Sequence, residues 1–255
     1  MSGEAGMIAA IMQPTYLPWI GYFDLIDTAD TFVFLDDAQV LKRSWGVRNR
    51  ILAQTGEMFL TVPLSGHKHS EGSAFVDTRI DSEQQWAKSH LSTIRHAYAK
   101  APHFAEVFAV LETLLHTGHG TIGALNEAFI GATAKRIGIT TPFVKSSELQ
   151  GIEGRKDDRL LSICRAIGAD TYLAAPGSAA YIEQEQEGGA FAGSGVAIRY
   201  HDFAHPVYPQ RQDGFVSHMS MVDLLMNCGY ASALEIIRSG RRAMLTPSEL
   251  RESTP

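Results

Sequence analysis

The stretch from Met7 to Asp37, MIAAIMQPTYLPWIGYFDLIDTADTFVFLDD, constrains this chain more than any other. Met7 to Met12 is a short apolar run, the pattern of a strand buried on both faces. Gln13 to Ile20 follows, with Pro14 and Pro18 inside it. A proline holds its own φ and turns the preceding residue away from helix, so this loop is stiff and the directions of Tyr16 and Trp19 are set. Gly21 permits a close backbone approach at a helix start. A helix is predicted from about Tyr22 to Ala29 and a second apolar strand from Thr31 to Leu35, ending on Asp36-Asp37. This is one βαβ unit with a right-handed connection. Open parallel sheets bind ligands beyond the carboxyl ends of their strands. The Gln13–Ile20 loop and the Asp36-Asp37 pair both fall there.

Further along, Met58 to Leu64 and Phe75 to Ile80 read as strands around a polar turn, residues 66 to 72. Ser82 and Gln85 form a capping-box start to a helix running to about Lys100, stopped by Pro102. Phe104, Val107, Phe108, Leu111 and Leu115 make the stripe of a second helix, and a third spans about Ile122 to Ile137, closed by Gly138. Alternation then resumes: a strand at Pro142 to Lys145, a helix from Arg159 to Ile167, and a strand at Thr171 to Ala174. PGSAAYI turns into a helix, Val196 to Tyr200 is a strand, and Met221, Leu224, Leu225 and Cys228 form a last helical stripe closed by Gly229. The pattern predicts an α/β protein: a mainly parallel Rossmann-like sheet with helices on both faces and an inserted helical subdomain. Residues 1–81 form the N-terminal part of the core, 82–138 the helical insert, 139–240 the C-terminal part and 241–255 a tail.

Net charge matters for the partners. At −6 over 255 residues, the chain is not expected to attract nucleic acid or anionic lipid globally, so an anion site must come from a local cluster. The two cysteines are far apart and give neither a disulfide framework nor a metal spacing. There is no signal peptide and no apolar run near the ~18 residues of a membrane span, so a cytoplasmic location is expected.

The sharpest candidate is AQVLKRSWGVRNRIL, which places Lys42, Arg43, Arg48 and Arg50 around Trp45. Arginine suits bidentate recognition of phosphate or carboxylate; the competing reading is a solvated loop paired with nearby acids. Asp36 and Asp37 could hold Mg²⁺ beside substrate phosphates, or Asp36 could act as a base, or both could cap a turn. His205, in HDFAHPVYPQ beyond the last strand, is a candidate second acid/base. His90 follows Trp86 by one helical turn and could point into the cleft, and Arg155 opens a helix whose N–H groups favour anions. His67-x-His69 has metal-compatible spacing without a third ligand nearby. Neither a P-loop GK[ST], a Rossmann GxGxxG nor a G-x-S-x-G elbow is present.

QPTYLPWIGYFDLI, FLDDAQVLKRSWGVRNRI, the Trp86 to His90 segment with AP-F at Ala101 to Phe104, RLLSICRAIGA, HPVYPQ and DLLMNCG together resemble the WbqC-like family over about Met7 to Gly240. The resemblance implies a place in bacterial O-antigen and other surface-polysaccharide synthesis, modifying amino sugars by aminoacyl or acyl transfer. A weaker likeness in placement links the PTYLPWIGY loop to the HxGH-type loop of nucleotidyltransferases. Trp19 and Tyr22 stand at the two histidine positions, so phosphate would fall to the Lys42–Arg50 cluster.

The expectation is therefore a transferase acting on a nucleotide-linked or phosphorylated sugar, with Mg²⁺ and a nucleotide as companions. Gln13, Tyr16 and Trp19 would form the cleft floor. Lys42, Arg43, Arg48, Arg50, His90 and Arg155 would contact substrate, and Asp36, Asp37 and His205 would carry the chemistry. The alternative is a non-catalytic nucleotide-sugar binding or scaffold protein that assists a partner enzyme.

Overall fold

A computed structural model of the chain describes residues 6–65, 73–212 and 214–253. His67 and His69 lie outside the described residues. Five strands, β1 (Ile8–Met12), β2 (Thr31–Phe34), β5 (Phe143–Lys145), β6 (Thr171–Ala174) and β7 (Ala197–Tyr200), form one parallel sheet in the order β5-β2-β1-β6-β7. Every neighbouring pair is parallel, with Ala10 opposite Phe32 on one side of β1 and opposite Leu173 on the other. Alternate residues feed two cores, as strand geometry requires. Ala10, Phe32, Phe34 and Leu173 face one apolar cluster, and Ala9, Ile11, Val33, Tyr172 and Ile198 face the other.

The two faces are unequally covered. The thick face carries α1 (Ile20–Thr28), α2 (Trp86–Tyr98), α3 (Phe104–His116), α4 (Ile122–Ile137) and α7 (Met221–Ser239), all within one apolar cluster. The thin face carries α5 (Lys156–Ala166), the short α6 (Ala179–Ile182) and side chains flanking α8 (Pro247–Ser253). Helices α2 to α4 follow one another without a strand between them. Thr121 caps α4 by accepting the Ala124 N–H at 3.3 Å, and Gly138 closes it at φ 93°, where a Cβ would be strained. No helix of the described residues is long and apolar enough to cross a membrane.

Local corrections have physical causes. The basic stretch is not a loop throughout: β3 (Arg48–Ala53) pairs antiparallel with β4 (Gly56–Thr61) in a separate hairpin. Phe75 to Ile80 is a turn, its Phe75 buried, held to the rest by isolated bridges. The first long helix starts at Trp86 rather than Ser82, because the Asp81 carboxylate takes the Glu83 N–H at 3.0 Å and Gln84 Nε2 at 2.7 Å and ties residues 81–84 into a turn. Gly229 does not end the last helix but breaks it at φ 76°, with the His103 ring packed where a Cβ would stand, and the helix resumes to Ser239.

A buried carboxylate ties these parts together. Asp223 of α7 accepts Tyr98 OH of α2 at 2.8 Å, Tyr208 OH at 3.0 Å and Gln210 Nε2 at 2.8 Å. Tyr98 OH in turn accepts the Leu52 N–H of β3 at 3.0 Å. Burial pushes the Asp223 carboxyl up, opposed by these hydrogen bonds. HPVYPQ and DLLMNCG, with Tyr98 from far earlier in the chain, therefore meet at one acid.

Candidate functional site

From β1 the chain builds outward through β2 and β5, then returns to build the other way through β6 and β7. The reversal lies between β1 and β6, the switch point where open sheets bind ligands. A cleft of about 530 Å³ opens there, lined by Gln13, Thr15, Trp45, Ser178 and Tyr181 among others. A second hollow of about 250 Å³ shares Met12, Thr15 and Trp45 with it and adds Trp19, Tyr22, Asn49, Arg50 and His218. The two form one groove along the carboxyl rim, with aromatic walls and Arg50 at one end.

The loop from Gln13 to Trp19 is the groove's floor, and it is pinned from behind. Asn126 of α4, fully buried, donates to the carbonyls of Pro14 at 2.9 Å and Gly46 at 2.8 Å. Asn49 donates to Tyr16 O at 3.0 Å, and Tyr22 OH donates to Gln13 O at 3.0 Å. The Tyr16 N–H reaches Trp45 O at 2.9 Å and the Met221 N–H reaches Pro18 O at 2.8 Å. These bonds hold Leu17 at φ 43°, a costly conformation for a branched residue. Gly21 has no Cβ because the Trp19 indole lies against it, within 2.2 Å of where one would stand. The start of α1, where a dinucleotide pyrophosphate would dock in a Rossmann fold, is thus covered by an indole.

The residues singled out in sequence divide into three groups. Gln13, Trp19 and Arg50 line the groove. Arg50 pairs with Glu57 at 2.7 Å and donates from Nε to His218 O at 3.1 Å. Arg48, on the same strand face, lies over the Phe59 ring at 4.7 Å. Lys42, Arg43 and Arg155 are exposed, and their side chains have no hydrogen-bond or ionic partner among the described residues. Tyr16 and His90 are inside the protein, against each other. His90 Nε2–H donates to Thr61 O at 3.1 Å, so its Nδ1 must accept from Tyr16 OH at 2.9 Å. Burial lowers the His90 pKa to about 4, and the ring is neutral near pH 7.

Asp36 is fully buried; its oxygens accept Ser146 Oγ at 3.1 Å, the Ser147 N–H at 2.9 Å and Ser147 Oγ at 2.6 Å. Asp37 accepts Ser146 Oγ at 2.6 Å and is paired with Arg159. Together they clamp the turn after β5 to the end of β2. A Mg²⁺ ion would have to displace Ser146, Ser147 and Arg159, so this donor set does not fit one. Among the described residues no group of three His, Cys, Asp or Glu is placed to hold a metal. His205 is braced as well: Nδ1–H donates to Pro206 O at 2.9 Å, and Nε2 accepts the His218 N–H at 3.1 Å. Partial burial lowers its pKa.

His218 is the residue that pattern reasoning passed over. It lines the groove, its backbone stands at φ 60°, and its ring stacks on Trp19 with centroids 5.1 Å apart. Its N–H is held by His205, its C=O by Arg50, and its Nδ1 lies 2.8 Å from Ser217 Oγ. Its Nε2 has no partner among the described residues. Partial burial and then the Arg50 charge lower its pKa. Leu17, Arg43 and Lys156 also stand at positive φ, but of these four His218 is the one whose side chain enters the groove, with its backbone N–H and C=O held by His205 and Arg50. GFVSHMS holds no pattern that announces it.

Comparison with known proteins bears on identity. The model of the WbqC-like protein family matches residues 13–235. A Mycobacterium tuberculosis protein named "Uncharacterized protein Rv1507c" is 33% identical over 237 residues, covering 91% of this chain and 98% of that protein. No solved structure matches the chain significantly.

Proposed function

The chain belongs to the WbqC-like protein family, and from that premise we propose that it is a cytoplasmic transferase of bacterial surface-polysaccharide (O-antigen) synthesis. Its substrate is a nucleotide-linked or phosphorylated amino sugar, and the reaction is acyl or aminoacyl transfer. The observation that carries the reading is the groove itself: an aromatic-walled cleft at the sheet's switch point, with one arginine and one strained histidine at the same end.

In this reading Arg50 binds a phosphate oxygen, its geometry fixed by Glu57. Trp45, half exposed, offers a face for a base or sugar ring. His218, held neutral by its surroundings, takes the proton from the attacking amine or hydroxyl at Nε2. A neutral imidazole near physiological pH suits that role. The floor loop contributes rigidity and keeps these groups in place without a metal.

A second reading, a non-catalytic nucleotide-sugar binding protein, is favoured by the commitment of Asp36 and Asp37 to internal partners. One experiment addresses both. Nucleotide sugars, screened with and without Mg²⁺, should raise the melting temperature, as any ligand selective for the folded state does. Arg50→Ala should remove that rise. Binding without turnover once an activated acyl donor is supplied would leave the second reading standing. No rise with any nucleotide sugar would overturn both.

A further inference from the structure

A second cavity, of about 540 Å³, lies between the turn at residues 79–85, the first turn of α2 and the turn joining α3 to α4. It shares no lining residue with the groove. Its charged lining is of one sign: Arg79 and Lys88, with His116 and His119, and no carboxylate among the described residues that border it. That is notable in a chain of net charge −6. Two acids adjoin the lining in sequence: Asp81 spends both oxygens on its own turn, on the Glu83 N–H and Gln84 Nε2, and the exposed Glu83 is not among the residues that line the cavity. The Nε2 atom of His119 is buried and has no hydrogen-bond partner among the described residues. A buried polar atom left unpaired costs free energy that a hydrogen-bonding ligand would recover, and with its proton on Nε2 the His119 ring donates to an anion. Helix α2 begins at this cavity with no side-chain cap on its first N–H groups, and the positive end of its dipole favours an anion. The rest of the lining is mixed: Trp86, Leu115, Leu125 and Ile80 give it an apolar and aromatic part, and Ser65, Ser82, Gln84 and Gln85 add neutral polar groups.

We propose that this cavity is a phosphomonoester site, in which Arg79, Lys88 and His119 hold the phosphate and Trp86 with its apolar neighbours holds the organic body. The volume exceeds what inorganic phosphate needs, and Trp86, Ile80, Leu115 and Leu125 offer apolar surface to an organic group. The site does not depend on the function proposed for the groove. It is joined to it physically, because Trp86 packs edge-to-face on His90 at 5.3 Å and His90 bonds Tyr16 of the floor loop.

Calorimetric titration of the full chain at low salt tests this with three probes: inorganic phosphate, a sugar 1-phosphate and a nucleoside monophosphate. The expected result is saturable binding, tighter for a phosphomonoester than for inorganic phosphate by several-fold, with the His119 ring resonances shifting in step. Arg79→Gln combined with Lys88→Gln, both exposed and so tolerated by the fold, should weaken binding at least tenfold. Arg50→Gln, in the groove, should change it less than twofold. The proposal is overturned by absence of saturable binding, by equal affinity for all three probes, by a double variant that binds as the parent does, or by loss of binding in Arg50→Gln.

Discussion

Two histidines flank the floor loop, one behind it and one in front. His90, behind, is almost wholly enclosed, with both ring nitrogens committed and its pKa carried down to about 4. His218, in front, faces the groove with Nε2 unpartnered among the described residues, on a backbone the fold holds in a strained conformation. The same side chain is a strut in one place and a candidate reagent in the other. The difference is not residue type but where the hydrogen-bonding capacity goes: inward it is spent on the loop, outward it is left for a ligand. Asn126, behind the loop, is likewise spent inward, on the Pro14 and Gly46 carbonyls.

If this division is right, damage behind the loop should appear as lost stability, and damage in front as lost binding. The largest loss should come from Asn126→Ala, which strands the Pro14 and Gly46 carbonyls in the interior. At ~1–3 kcal/mol for each unpaired buried group, urea denaturation should show about 2–6 kcal/mol of destabilisation. Residual folded protein should bind ligand with parental affinity. A stable Asn126→Ala protein that no longer binds would erase the contrast.

Next is the pH response of His90. Between pH 6.5 and about 4 the unfolded chain takes up a proton there that the folded chain refuses, so stability falls as the solution is acidified through that window. The span corresponds to ~3 kcal/mol at 1.36 kcal/mol per pH unit. Tyr16→Phe sharpens the point at smaller cost. Losing the hydroxyl frees His90 Nδ1 to accept a proton, so the acid loss should still begin near pH 6.5 but end at higher pH and be smaller, with about 1 kcal/mol lost at pH 7. A denaturation series from pH 4 to 8 on parent and variant would show the shift; superimposable curves would mean His90 is not the titrating group.

These predictions rest on geometry that the sequence discloses unevenly. The β1–loop–α1–β2 unit was readable because buried parallel strands write continuous apolar runs and the prolines mark the loop. The carboxyl-end position of the loop followed from it, while the switch point between β1 and β6 came only with the strand order. The hairpin was hidden, since RNRIL alternates two outward arginines with an inward asparagine, and a polar residue at a buried position defeats the alternation rule. Asp36 and Asp37 read as free acids because their partners, Ser146, Ser147 and Arg159, come more than a hundred residues later. No local pattern can reveal a carboxylate already spent on a distant turn. His218 was invisible for another reason: what distinguishes it is its position in the groove, fixed by contacts with Arg50, His205 and Trp19 from distant parts of the chain, which no local pattern encodes.

The smallest stability effect should come from the most consequential position. Replacing His218 by glycine removes the stacking on Trp19, which lowers stability. It also relieves a left-handed conformation that costs a non-glycine residue ~1–3 kcal/mol, though glycine returns part of that as backbone entropy, ~0.5–1 kcal/mol. These contributions oppose one another, and the melting temperature should move by no more than a few degrees in either direction, as expected for a change of about 1 kcal/mol in a chain of this length. Nucleotide-sugar binding, anchored by Arg50, should persist within a few-fold. Turnover should be lost, and a His218→Gln variant should lose it too while keeping the ring's polar outline. If His218→Gly instead destabilised the protein severely, the front of the loop would be a strut like the back, and the strain at residue 218 would belong to the architecture and not to a reaction.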